Sequence, residues 1–189
     1  MNVPNKLTVV RICLTPIYLL LLLMDFSHHF LCAAAVFGVA AFTDFLDGQI
    51  ARRQNLVTNL GKFLDPLADK TLTTAALIGI LAIGQIDPWA ITLILTREFM
   101  VTSIRLLAAK NGVVVAADIF GKAKTVAQFV SLLYMMAALE FTTWNVAPSL
   151  HEPLLLIGRI LIWVSVALTI ISGVRYVWLN RSYLKDDKN

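Results

Sequence analysis

Residues 44–70 read DFLDGQIARRQNLVTNLGKFLDPLADK. Four aspartates, Asp44, Asp47, Asp65 and Asp69, lie in this stretch between two long apolar flanks. A charged side chain at the centre of a bilayer costs about 2.5–3.5 kcal/mol on insertion scales. Four carboxylates beside membrane helices therefore need compensation, and bound cations supply it most directly. Asp44, Asp47, Gly48, Ala51 and Arg52 follow i, i+3, i+4, i+7, i+8 spacing, which is one helix face. Gly61, Asp65 and Asp69 follow i, i+4, i+8 spacing and share a face in the same way. Two helices joined by a short basic turn can aim the two carboxylate pairs at each other. The small residues on those faces leave room for a ligand or a close helix crossing.

The rest of the chain fits a membrane setting. Of its 189 residues 58% are hydrophobic, with a mean hydropathy of +0.76, above the usual apolar share of a soluble domain. Apolar segments run over about 7–24, 31–51, 65–84, 88–109, 122–141 and 154–178. A membrane-spanning helix takes about 20 residues, so the expected fold is all-α, with six transmembrane helices in one membrane domain over residues 1–189. The net charge of +4 does not point to nucleic acid, because Lys and Arg cluster at the ends of apolar segments. That pattern sets membrane orientation.

The loops around Asp25–His29, Gln85–Asp87 and Phe141–Glu152 contain no Lys or Arg. Both termini and the aspartates are therefore expected on the cytoplasmic side of the cell membrane, and those loops outside. Arg159 departs from the pattern and is expected to snorkel or to pair with Glu152. Cys13 and Cys32, each within an apolar stretch, read as small buried hydrophobes. The polar tail 180–189 is expected to fray.

An all-aspartate donor set is hard and oxygen-rich, which favours Mg²⁺ or Mn²⁺ over zinc. His28, His29 and His151 all fall in the external loops, leaving no histidine within reach as ligand or base. Asp69 is then a candidate general base, although nearby metal ions lower a carboxylate's basicity. Two such cations would clamp a diphosphate and polarise its phosphorus. A cation transporter could also hold acids in its helices. Such sites usually lie at the midplane between repeats, whereas these acids gather at one end and the chain has no repeat.

The order D-x-x-D-G-x-x-A-R, eight residues, then G-x-x-x-D-x-x-x-D resembles the signature of the CDP-alcohol phosphotransferase family, with all eight fixed positions filled from Asp44 to Asp69. That resemblance implies a CDP-linked donor, release of CMP and two divalent cations. By it Asp44, Asp47 and Asp65 are metal ligands, and Asp69 is a ligand, the base, or both. Gly48, Ala51, Arg52 and Gly61 would shape the donor-nucleotide pocket, with Asn5, Thr8 and Arg11 of the opening NVPNKLTVVRICLTP nearby. It also implies a homodimer.

Residues 96–128, TREFMVTSIRLLAAKNGVVVAADIFGKAKTVAQ, resemble those members of the family that pass phosphatidyl from CDP-diacylglycerol to glycerol 3-phosphate. A member using inositol phosphate is the runner-up within the family. Arg97, Arg105, Lys122 and Lys124 are the cations expected to receive the acceptor's phosphate. Arg97 and Arg105, eight apart, are expected on one face of the fourth helix. Pairing of Arg97 with Glu98 is not expected, because sequence neighbours on a helix do not face each other. The Trp and Met residues read as interface and packing groups.

Overall fold

The computed structural model describes the backbone of residues 3–54, 59–110, 119–144 and 146–181, and the side chains of 8–43, 68, 70–109, 119–144 and 146–181. Among the described residues the chain is all-α. Six helices follow in order: α1 (Val3–Leu23), α2 (His29–Gln54), α3 (Asn59–Ala82), α4 (Pro88–Lys110), α5 (Ile119–Thr143) and α6 (His151–Leu179). The 3-10 turn Pro148–Leu150 leads into α6.

Each apolar segment lies largely within one helix, but the helices run further. Helix α3 starts at Asn59 rather than 65, and α6 starts at His151 rather than 154. Hydropathy marks the apolar part of a helix, while backbone hydrogen bonding continues through polar residues at its ends. Pro153 stands third in α6, in the first turn, where a missing N–H has no intrahelical acceptor to lose.

Helices α5 and α6 (with its leading 3-10 turn) are each long and apolar enough to cross a membrane. Among the described residues, α1, α2 and α3 contribute the shorter apolar stretches Thr8–Leu23, His29–Thr43 and Lys70–Ala82. Helix α4 carries Arg97, Glu98 and Arg105 in its interior.

Helix α1 packs on α2 and α3, α2 also packs on α5, and α4 and α5 both pack on α6. Tyr18, Phe37, Leu72, Leu77, Ile94, Leu132, Met135 and Met136 are buried in the shared core. The Tyr18 hydroxyl donates to Met136 Sδ at 3.6 Å. The buried face of α6 includes Gly158, Ser165, Thr169, Ser172 and Gly173, small residues that let neighbouring helices approach closely. A methyl at Gly158 would stand 2.8 Å from Met135 Cε on α5.

The three turns without Lys or Arg gather at one end of the bundle. His28, in the left-handed region at φ 62°, places its Nδ1 2.7 Å from Glu140 Oε1 at the end of α5. The buried Glu140 carboxylate also accepts from Leu31 N at 3.1 Å and Trp144 Nε1 at 2.9 Å, so its burial is compensated. His151 meets Phe141 edge-on. The histidines therefore sit together, away from the aspartate-bearing ends of α2 and α3. From His29 to Asp44 the rise along α2 is about 22 Å at 1.5 Å per residue.

One expectation fails here, and one of the two alternatives for Arg159 is excluded. Cys13 and Cys32 are free and exposed, because each falls on the outward face of its helix; an apolar segment alone does not say which face a residue takes. Arg159 does not pair with Glu152. Its Nη2 donates to Gln85 Oε1 at 3.0 Å. Glu152 lies seven residues back on α6, about 10 Å along the axis, too far for a direct bond.

Candidate active site

Asp44 and Asp47 stand in the last three turns of α2, and Asp65 and Asp69 in the first three turns of α3. The two helices are consecutive, so the backbone brings the four positions to one end of the bundle. Their side chains, and those of Gly48, Ala51, Arg52, Gly61 and Asn5, lie outside the described residues. Among the described residues no group of three or more His, Cys, Asp or Glu gathers as a metal site. The chemistry of the four carboxylates fits a hard divalent cation, which takes oxygen ligands.

A small cavity of about 60 Å³ opens between α3, α4 and α5. Its polar wall holds Lys70, Thr73, Thr74, Glu98, Lys124 and Gln128, and its apolar wall includes Leu77, Ile94 and Phe129. Lys70 directly follows Asp69 in sequence, which sets the cavity beside the aspartate end of α3. Its Nζ bonds the Thr102 hydroxyl across to α4.

Glu98 organises this region. Its Oε1 lies 2.5 Å from Lys124 Nζ on α5 and 3.0 Å from Arg97 Nη1. Arg97 Nη2 continues to Ser172 Oγ on α6 at 2.7 Å. One chain of charge-assisted bonds thus links α4, α5 and α6. Lys124 is almost fully buried, and a buried ammonium requires such a partner. Gly173 makes the passage of Arg97 possible: a methyl there would stand 2.9 Å from Arg97 Cγ.

The expectation that Arg97 does not pair with Glu98 is therefore overturned. The backbone positions do point apart, but Arg97 is long enough to bring its guanidinium round to the carboxylate that Lys124 also engages. Arg105 shares the α4 face as expected. Its Nε donates to the Tyr176 hydroxyl at 3.3 Å, and its guanidinium carbon lies 5.7 Å from the Tyr176 ring centroid.

The four expected phosphate cations divide into two kinds. Arg97 and Lys124 are anchored by Glu98, while Arg105 and Lys122 are exposed. Thr8 and Arg11 are buried inside α1. The residues missed in sequence are Glu98, Lys70, Thr102 and Ser172. Only Glu98 carried a signal, as an acid within a helix rich in cations.

The sequence profile described as CDP-alcohol phosphatidyltransferase matches residues 1–171. The chain belongs to the CDP-alcohol phosphatidyltransferase family. It is 39% identical to the CDP-diacylglycerol–glycerol-3-phosphate 3-phosphatidyltransferase of Bacillus subtilis (strain 168), over 97% of this chain and 97% of that protein. It is 37% identical to the enzyme of the same name from Rickettsia bellii, over 96% of this chain and 97% of that protein. A probable phosphatidylglycerophosphate synthase of Mycobacterium tuberculosis is 37% identical, over 93% of this chain and 80% of that protein.

Proposed function

We propose that the chain transfers phosphatidyl from CDP-diacylglycerol to glycerol 3-phosphate, giving phosphatidylglycerol phosphate and CMP. The observation that carries this reading is the near-complete mutual coverage with transferases named for that reaction. In the transfer, a glycerol 3-phosphate hydroxyl oxygen bonds to the phosphorus that bears the diacylglycerol. The bond from that phosphorus to the CMP oxygen breaks, CMP leaves with the electron pair, and Asp69 takes the hydroxyl proton.

Asp44, Asp47, Asp65 and Asp69 would hold divalent cations, Mg²⁺ or Mn²⁺. When bound, these neutralise the diphosphate and polarise the phosphorus under attack. Gly48, Ala51, Arg52 and Gly61, with Asn5 and Thr8, shape the nucleotide side. Arg105 and Lys122, exposed near the Glu98 network, meet the acceptor's phosphate first. Arg97 and Lys124 hold it from deeper in the bundle. Lys70, Arg97 and Lys124 against Glu98 leave a local charge of about +2, which suits a phosphate dianion.

The deciding assay gives purified protein CDP-diacylglycerol and labelled glycerol 3-phosphate, inositol phosphate or serine. CMP release and labelled lipid are expected with glycerol 3-phosphate alone. Preference for inositol phosphate would reassign the acceptor within the family.

The same reading has six spans, a homodimer and a cytoplasmic active site in the cell membrane. The absence of Lys and Arg from residues 25–29, 85–87 and 141–152 supports the spans and their orientation. With Cys13 and Cys32 replaced, a cysteine at Ser27 is expected to react with an impermeant reagent outside intact cells. One at Lys185 is expected to react only after permeabilisation. Equal reaction from one side would sink the six-span arrangement.

A further inference from the structure

At the end of the bundle away from the aspartates, an open cleft of about 340 Å³ lies between the α3–α4 turn and α6. Its volume is within the roughly 300–1,000 Å³ common for ligand pockets. Arg159, Gln85, Asp87, Trp163 and Pro88 line it. Arg159 is half-buried, and the Gln85 carboxamide fixes its guanidinium. A guanidinium has five N–H donors, and those of Arg159 make no other hydrogen bond to a described residue. Asp87 shares the cleft without forming an ion pair to Arg159. Its Oδ1 accepts from Trp89 N at 2.8 Å, capping α4 and leaving the second carboxylate oxygen available. The cleft thus presents one cation and one anion, held apart.

The depth of the cleft says what meets them. Helix α6 has 29 residues, about 43 Å at 1.5 Å per residue, against a hydrocarbon thickness of about 30 Å. Arg159 stands eight residues into it, about 12 Å from its start, where a long arginine side chain can snorkel to the boundary between hydrocarbon and headgroups. Trp89, at the start of α4, is exposed at the same end of the bundle, as tryptophans are at membrane interfaces, and Trp163 is exposed one turn beyond Arg159.

We infer that this cleft binds the headgroup of a zwitterionic phospholipid, with the phosphate on Arg159 and the ammonium toward Asp87. The guanidinium fork matches a phosphodiester, and the carboxylate at a distance matches the amine carried on the same headgroup. A purely anionic headgroup would leave Asp87 facing like charge. The inference rests on the membrane reading above, but not on the transferase chemistry.

The test uses full-length protein, delipidated in a non-ionic detergent. Binding of dispersed phosphatidylethanolamine and phosphatidylglycerol is measured by lipid-dependent thermal shift, beside soluble phosphoethanolamine. Wild type is expected to prefer phosphatidylethanolamine. Arg159→Gln is expected to weaken it by about 10- to 100-fold, the loss of one charge-assisted contact. Asp87→Asn keeps a capping side chain and is expected to remove the preference while sparing phosphatidylglycerol.

Wild-type affinity in Arg159→Gln overturns the site, and an unchanged preference in Asp87→Asn overturns the zwitterionic assignment. An equal Arg159-dependent shift with soluble phosphoethanolamine overturns the lipid as its source. Transferase activity, measured in parallel, stays unchanged in both variants. Its absence from wild type would instead remove the transferase reading.

Discussion

Replacing Asp65 by Asn is expected to lower transferase turnover by about 1,000-fold, and Asp44→Asn, Asp47→Asn and Asp69→Asn are expected to do the same. Asparagine keeps the size of the side chain and one carbonyl oxygen, but it removes the charge. The four positions stand in the last turns of α2 and the first turns of α3, at one end of the bundle. All three histidines gather at the other end of the bundle, so no imidazole replaces a lost carboxylate. Metal-assisted charge stabilisation contributes several kcal/mol, and each 1.36 kcal/mol is tenfold in rate, hence the size of the expected loss.

CMP release at saturating Mg²⁺ or Mn²⁺ is the measurement, with the thermal midpoint as the check on folding. EDTA treatment of wild type is expected to match the variants, and added metal to restore it. Near-normal turnover in any two variants, or in EDTA-treated protein, would end the metal-site reading.

The parts legible in the sequence are those where one residue type has one use. Acids beside apolar segments are expensive, so the aspartate stretch announced itself. The gaps in Lys and Arg located the turns that gather around Glu140 and Gln85. Sequence pattern failed where the outcome depends on the reach or rotation of a side chain. The spacing rule that kept Arg97 from Glu98 describes backbone directions, and Arg97 outreaches it. Cys13 and Cys32 were read from the hydropathy of their segments, but the helix turns them outward. Arg159 had an acid on its own helix as the obvious partner. The one it takes, Gln85, lies 74 residues away in sequence, across a contact that only the fold creates.

Glu98→Gln is expected to lower kcat/KM for glycerol 3-phosphate by about 10- to 100-fold, mainly through KM, while CDP-diacylglycerol binding stays near wild type. Glu98 carries charge opposite to the cations proposed to bind the acceptor's phosphate, so a direct electrostatic role would predict the reverse. Its contribution is positional. It fixes Lys124 at 2.5 Å and Arg97 at 3.0 Å, and Ser172 holds the other end of Arg97.

Glutamine offers one neutral acceptor to two cations. Removing one partner of a buried pair costs about 3–5 kcal/mol. Glu98 retains some solvent access, so a loss nearer 2 kcal/mol in stability is expected. Thermal unfolding checks that figure separately from the kinetics. Gly173→Ala tests the same geometry without changing a charge. Its methyl would stand 2.9 Å from Arg97 Cγ, the root of that side chain rather than its flexible end, so the guanidinium must move.

Both variants are therefore expected to raise KM for glycerol 3-phosphate, Gly173→Ala by the smaller factor. Arg97→Lys is expected to fall between, since it keeps the charge but loses the fork that reaches Glu98 and Ser172 together. If Glu98→Gln and Gly173→Ala both keep the wild-type KM, Arg97 and Lys124 serve only to join α4, α5 and α6. The acceptor's phosphate is then left to Arg105 and Lys122. If donor binding falls in parallel, the network belongs to the diphosphate side of the site.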